Sequence, residues 1–162
     1  MKAALKYGIE LSACFVLLLM ARCTDPSAVL EQNARIDNRN WAYVNKIKYD
    51  VTIDDTASAY NLYLNLRVTA DYKYSNLFVL IGEGKAGAAK LHTTRYEFKL
   101  ANPDGEWLGK GSGNLYSYQI PFKTGFHFPG KGAYHFEIEQ NMRNNPLREV
   151  SDVGLRVEKA TE

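Results

Sequence analysis

The groups with most chemical capacity in this 162-residue chain are three histidines, His92, His127 and His135, and the carboxylates near them. His135, Glu137 and Glu139 alternate along one short stretch. In an extended strand, residues two apart leave the same face about 6.5 to 7 Å from one another. Such a set could hold a metal ion or exchange a proton, and His135 with Glu137 could serve a hydrolase. A solvated outer strand face accounts for the same residues more simply and is the reading adopted. Asp50, Asp54 and Asp55, or Asp104 with Glu106, could offer oxygens to calcium, which draws several ligands from one loop. Neither set has the residue density of a calcium loop. No nucleophile elbow, phosphate loop, zinc spacing or dinucleotide fingerprint occurs. The sequence therefore predicts no catalytic residue, no metal and no cofactor.

Elements must exist to position whatever else the chain carries, and the clearest lies between Tyr60 and Gly84. Tyr60, Leu62, Leu64, Leu66 and Val68 alternate with Asn61, Tyr63, Asn65, Arg67 and Thr69, the period of a strand with one buried and one wetter face. Leu77 to Ile81 is a continuous apolar run suited to a place covered on both sides or near a sheet centre. Further alternating runs are Trp41 to Ile53, His92 to Leu100, Leu115 to Phe122, Ala133 to Asn141, and Ser151 to Lys159, the last with Val153, Leu155 and Val157 inward and Arg156 and Glu158 outward. Between them, Asp54 to Ser58, Gly82 to Lys90, Asn102-Pro103-Asp104-Gly105, Gly130-Lys131-Gly132 and Asn144-Asn145-Pro146 supply turns. Pro121 marks a strand edge or end. Eleven Tyr, seven Phe and two Trp favour strands with large buried side chains. The expected fold is all-β, an antiparallel two-sheet β-sandwich of seven or eight strands, immunoglobulin-like or jelly roll, over residues 41–159.

The N-terminus reads as an address. Lys2 and Lys6 precede an apolar segment, Leu11 to Ala21, that ends at Arg22-Cys23. That is the layout of a secretory signal and is too short for a span of about 20 residues. A cysteine directly after it suggests a lipoprotein: residues 1–22 as signal peptide, Cys23 as the lipid attachment point, and 23–40 as lipidated cysteine and polar tether. Arg22 stands where a small residue usually precedes the cysteine. Cys14 follows a better local pattern but lacks an apolar segment before it. Lys2, Lys6 and Arg22 against Glu10 account for the whole formal charge of +2, and from Cys23 onward 17 basic residues meet 17 acidic ones. This balance leaves no footprint for nucleic acid.

Several segments together resemble the GldH family of gliding-motility lipoproteins from Bacteroidetes. They are Tyr60-Asn61-Leu62 through Leu66-Arg67, Tyr74-Ser75-Asn76-Leu77-Phe78, Ala101 to Gly109 (ANPDGEWLG), Gly132 to Gln140 with Met142-Arg143, and Ser151 to Lys159. The resemblance implies a cell-envelope lipoprotein supporting gliding motility and the associated type IX secretion machinery, with no enzymatic activity. It implies the membrane, through Cys23, and other envelope motility or secretion proteins as partners. The scarcity of acidic residues just after Cys23, Asp25 being the near one, points to an outer-membrane protein facing the periplasm. Asn102, Asp104 and Trp107 on a glycine-bounded loop, with Tyr63 and Arg67 on the wetter strand face, are the candidate partner-binding residues. A carbohydrate-binding module, with Tyr63, Trp107 and Tyr116 as a stacking platform, is the alternative reading.

Overall fold

Eleven strands make up the computed structural model, which describes residues 25–160. They are β1 (Ala28–Arg35), β2 (Asn40–Trp41), β3 (Ile47–Ile53), β4 (Tyr60–Thr69), β5 (Asn76–Lys85), β6 (His92–Lys99), β7 (Lys110–Ser112), β8 (Leu115–Phe126), β9 (Gly132–Gln140), β10 (Leu147–Arg148) and β11 (Val150–Lys159). A single 3-10 turn at Asp37–Arg39 stands among them. Two antiparallel sheets, ordered β1-β11-β4-β8-β7 and β3-β9-β5-β6, face one another, and β2 pairs with β10 as a small third ladder. The all-β antiparallel sandwich expected from the sequence is the fold observed. The signal segment and Cys23 lie outside the described residues.

The period-two pattern of β4 decides its place. Tyr60, Leu62, Leu64, Leu66 and Val68 are all buried, each such side chain contributing roughly 1.5 to 3 kcal/mol relative to an exposed position. β11 and β8 flank β4, so its backbone is paired along both edges. From the opposing sheet, β5 turns Leu77, Val79 and Ile81 into the same core. Its Phe78 and Leu80 are only half-buried on the outer face, and the Arg95 guanidinium covers Phe78 at 3.9 Å from the ring centroid. The apolar run of β5 thus reflects a place inside its sheet, between β9 and β6, rather than full cover on both faces.

Tyr49 joins the two layers. From β3 its hydroxyl donates to the Val153 carbonyl of β11 at 2.7 Å and accepts from the Ala34 amide of β1 at 3.1 Å. Burial pushes the phenol up to about 12, so it remains a donor under all ordinary conditions. At the other flank the Tyr118 hydroxyl of β8 donates to the Leu100 carbonyl at 2.9 Å. Phe128 closes one end of the core against Tyr60, Phe126 and Tyr134.

Three expectations need correction. The described part of the expected 23–40 tether, residues 25–40, is folded: β1 pairs with β11 from Ala28 to Arg35, and the 3-10 turn and β2 follow at once. The apolar pattern of β1 is weak because it is an edge strand whose inward positions, opposite Val157, Leu155 and Val153, hold only Leu30, Gln32 and Ala34, and a bulge between Ala28 and Leu30 breaks the alternation. Its hold comes from the backbone ladder and from polar contacts on the outer face. The run from Trp41 to Ile53 is two elements, since Trp41, fully buried, sits in β2 opposite Leu147 and its indole donates to Asn45 O across a turn. Arg156 points outward as expected, yet it is buried by carboxylates that fold over it.

Candidate functional site

The outer face of the five-stranded sheet carries polar residues in cross-strand rows. Nearest the start of β1, Glu31, Arg156 and Tyr63 face one another across β1, β11 and β4. The middle row is Asn33, Gly154, Asn65 and Gln119, and the far row is Arg35, Asp152, Arg67, Ser117 and Lys110. Gly154 is required by the middle row. A Cβ there would lie 2.0 Å from Asn33 Oδ1 and 2.6 Å from the Gln32 carbonyl oxygen, so the Asn33 amide lies over the strand where a side chain would have been. Gln119 donates to Asn65 at 3.1 Å. Glu31, Asn33, Asn65, Gln119, Asp152, Arg67 and Ser117 of these rows line an open groove of about 690 Å³, with Leu108 and Lys110 on its far wall.

Arg67 lies in this groove and grips Asp152 with two parallel bonds, Nε to Oδ2 at 2.9 Å and Nη2 to Oδ1 at 2.8 Å. Burial works against the charge on Asp152, but the guanidinium and a Ser151 hydrogen bond outweigh it and hold the carboxyl below its usual value. The Arg67 side chain is 48% exposed, so its outer edge is still open to a partner. Tyr63 is more committed: its hydroxyl donates to Glu158 at 2.7 Å, and Glu158 in turn accepts from Arg156. Arg156 also meets Asp25 and Glu31, so one cation answers three carboxylates.

Asn102, Asp104 and Trp107 lie elsewhere, on the connection from β6 to β7. The Asn102 backbone accepts from Gly105 N at 3.0 Å and donates to Glu106 O at 2.8 Å. Asp104 receives the Glu106 amide, and Gly105 takes a φ of +90° that favours glycine. Trp107 bridges to Ala101 and packs on Tyr116 at 5.2 Å between ring centroids, with Tyr72 beyond. It plugs the end of the core rather than standing clear of it. Only Leu108, half exposed, and Lys110 carry this loop to the groove. The loop and Arg67 therefore share one end of the molecule without forming one cluster.

The three-ring platform for a sugar does not form. Tyr116 pairs with Val68 and faces the core, whereas Tyr63 points to the outer face of the same sheet. The other chemical candidates are also spoken for. His135 Nδ1 lies 2.7 Å from Asp50, Glu137 contacts Lys46 and Lys48, and Glu139 contacts Lys46. The strand face expected to be solvated is a ladder of ion pairs. Asp55 binds the Ser58 hydroxyl and Lys159. Among the described residues no three His, Cys, Asp or Glu are grouped to hold a metal ion.

The sequence alone places Arg156 on the outer face but gives no sign that Asp25, Glu31, Asn33, Asp152 and Gly154 join it there. They come from the two ends of the chain and meet only through the pairing of β1 with β11; the one local hint was the alternation of Arg156 with Glu158.

Comparison with known proteins places the chain in a family. Residues 28–157 match the family described as GldH lipoprotein. The chain is 32% identical over 153 residues to a gliding motility lipoprotein GldH homolog from Christiangramia forsetii, covering 90% of this chain and 92% of the relative. It is 31% identical over 126 residues to gliding motility lipoprotein GldH from Flavobacterium johnsoniae, covering 73% and 77%. A fructofuranosidase from Schwanniomyces occidentalis superposes on 82% of this chain and 34% of its own, with a TM-score of 0.39 at 13% identity, too slight a likeness to bear on function. The family match runs from the first residue of β1 to the third-last of β11, so it spans both sheets and the polar face that β1 completes; the chain belongs to the GldH lipoprotein family.

Proposed function

We propose that this protein is a lipid-anchored envelope component of the gliding-motility apparatus and the type IX secretion machinery associated with it, acting by assembly with other proteins and not by catalysis. Cys23 carries the lipid after residues 1–22 are removed. The observation that carries the reading is family membership across the whole sandwich. It is supported by the contacts that occupy the groups that could have done chemistry, Glu137 with Lys46 and His135 hydrogen-bonded to Asp50, and by a groove whose Arg67 keeps half its surface free. The protein sits on the outer membrane and faces the periplasm. Its protein partner meets the groove and the adjacent loop at Leu108 and Lys110, where a planar guanidinium and exposed amides suit peptide carbonyls and carboxylates.

Affinity capture from intact envelopes tests this. The wild-type chain should recover motility or secretion components, and Arg67→Glu should recover them at a small fraction of that level while remaining folded. Recovery of none by the wild type, or full recovery by the variant, contradicts the assembly role or its assignment to the groove, respectively.

A further inference from the structure

The distance in sequence between the proposed lipid and the folded domain is short. Asp25 is two residues after Cys23, so their Cα atoms are at most about 7 Å apart. Asp25 is not free: it accepts hydrogen bonds from the Ser27 amide and hydroxyl and from Arg156, its carbonyl accepts from Ala28 N, and β1 begins at Ala28. A lipid on Cys23 would therefore be tied almost directly to one end of the sandwich. Strand pairing identifies that end. Ala28 lies opposite Glu158, Lys159 opposite Tyr60, Tyr60 opposite Phe126, Ile53 opposite Gly132 and Lys85 opposite Tyr134. The loops 54–59, 86–91 and 127–131 thus share the end at which the chain leaves the domain. Loops 70–75, 100–109 and 141–146 close the opposite end, about 30 Å away by the length of a ten-residue strand.

The chemistry of the near end suits a phospholipid surface. Lys85, Lys90 and Lys131 are exposed there, and among the described residues no carboxylate forms an ion pair with them, whereas Lys159 is held by Asp55. Ala86, Gly87, Ala88 and Ala89 between two of these lysines are small and exposed, so nothing bulky keeps the ammonium groups from a headgroup plane. Basic residues next to an anionic lipid surface are attracted to its phosphates. Resting on attachment at Cys23, we infer that the end bearing loops 54–59, 86–91 and 127–131 lies against the membrane, with Lys85, Lys90 and Lys131 at the lipid phosphates. The end bearing loop 100–109 faces away from it. This puts Trp107 and the Leu108–Lys110 wall of the groove at the far end from the bilayer.

The lipid-modified chain, purified from a host that processes it, is incorporated into phosphatidylethanolamine and phosphatidylglycerol vesicles containing headgroup nitroxide lipid. A fluorophore is attached through Ala88→Cys in one variant and Asp71→Cys in another, both exposed turn positions at opposite ends. Lipid attachment leaves Cys23 without a free thiol to compete. The expected result is co-flotation with the vesicles, loss of most emission from position 88 and unchanged emission from position 71. Flotation with equal quenching at the two positions, or greater quenching at 71, overturns the orientation while leaving the anchor intact. Failure to float overturns both.

Discussion

The guanidinium of Arg156 donates to the carboxylate of Asp25, 131 residues away in the chain. Asp25 precedes β1 and Arg156 lies in β11, so this contact fastens the chain entering the domain to its last strand. The Ser27 hydroxyl and then Arg156 hold the Asp25 carboxyl at about 2. Because the folded value lies below the unfolded one, the contact stabilises the native state above about pH 4 and that contribution is lost as pH falls towards 2. A carboxyl carbon titration by NMR should show Asp25 with a midpoint near 2. A midpoint near 3.8, the ordinary aspartate value, would mean that the segment is free.

Among the described residues Arg156 is the one cation paired with Asp25, Glu31 and Glu158. Replacing it with Met leaves three carboxylates close together beside a buried apolar chain. With Asp25 and Glu31 more than a third exposed, water offsets part of the repulsion, so Arg156→Met should cost roughly 1 to 3 kcal/mol at pH 7. The loss should shrink at pH 4, where some of the carboxylates protonate. Urea denaturation at the two pH values checks both statements; an equal loss at each would assign the effect to packing alone.

Gly154 lets β1 lie close to β11. Gly154→Ala drives a methyl group into Asn33 Oδ1 and the Gln32 carbonyl, and overpacking of this kind costs typically 1 to 3 kcal/mol. Adding Asn33→Ala removes only the flexible obstacle. The double variant should stay destabilised, because the backbone carbonyl remains; full recovery of the thermal midpoint would show that the amide alone requires the glycine.

Tyr49→Phe tests the link between the layers. It leaves the Val153 carbonyl and Ala34 amide without the hydroxyl that serves both. A loss of about 1 to 2 kcal/mol is expected, with faster hydrogen exchange at Ala34 than at amides inside β4. Unchanged exchange at Ala34 would contradict the link.

Trp107→Ala separates packing from recognition. The indole is half-buried against Tyr116 and Tyr72, so truncation should cost about 2 kcal/mol, somewhat less than for a fully buried aromatic. Below the unfolding temperature, envelope capture by this variant should match wild type. Lost capture at unchanged stability would make Trp107 a contact residue after all.

The sequence revealed the inside of the sandwich better than its outer face. Leu62, Leu64 and Leu66 announce a buried strand face because apolar alternation is a local signal, and Tyr134, Phe136 and Ile138 do the same for β9. β1 escaped notice because an edge strand needs little apolar area, and Glu31, Gln32 and Asn33 look like a linker until β11 is beside them. Trp41 reads as part of the strand that follows it because its partner, Leu147, is more than a hundred residues away. Within the candidate site, the exposure of Arg67 followed from alternation, but its grip on Asp152 depends on a pairing that no local pattern encodes.

Mass spectrometry of the N-terminal peptide from protein isolated with native membranes tests the central claim most directly. Attachment at Cys23 predicts a mature chain that begins at this residue, its mass raised by a thioether-linked diacylglyceryl group and cleared of residues 1–22. An unmodified peptide that starts upstream of Cys23, or one that carries Cys23 with a free thiol, would contradict the lipid anchor and with it the membrane-facing end of the sandwich.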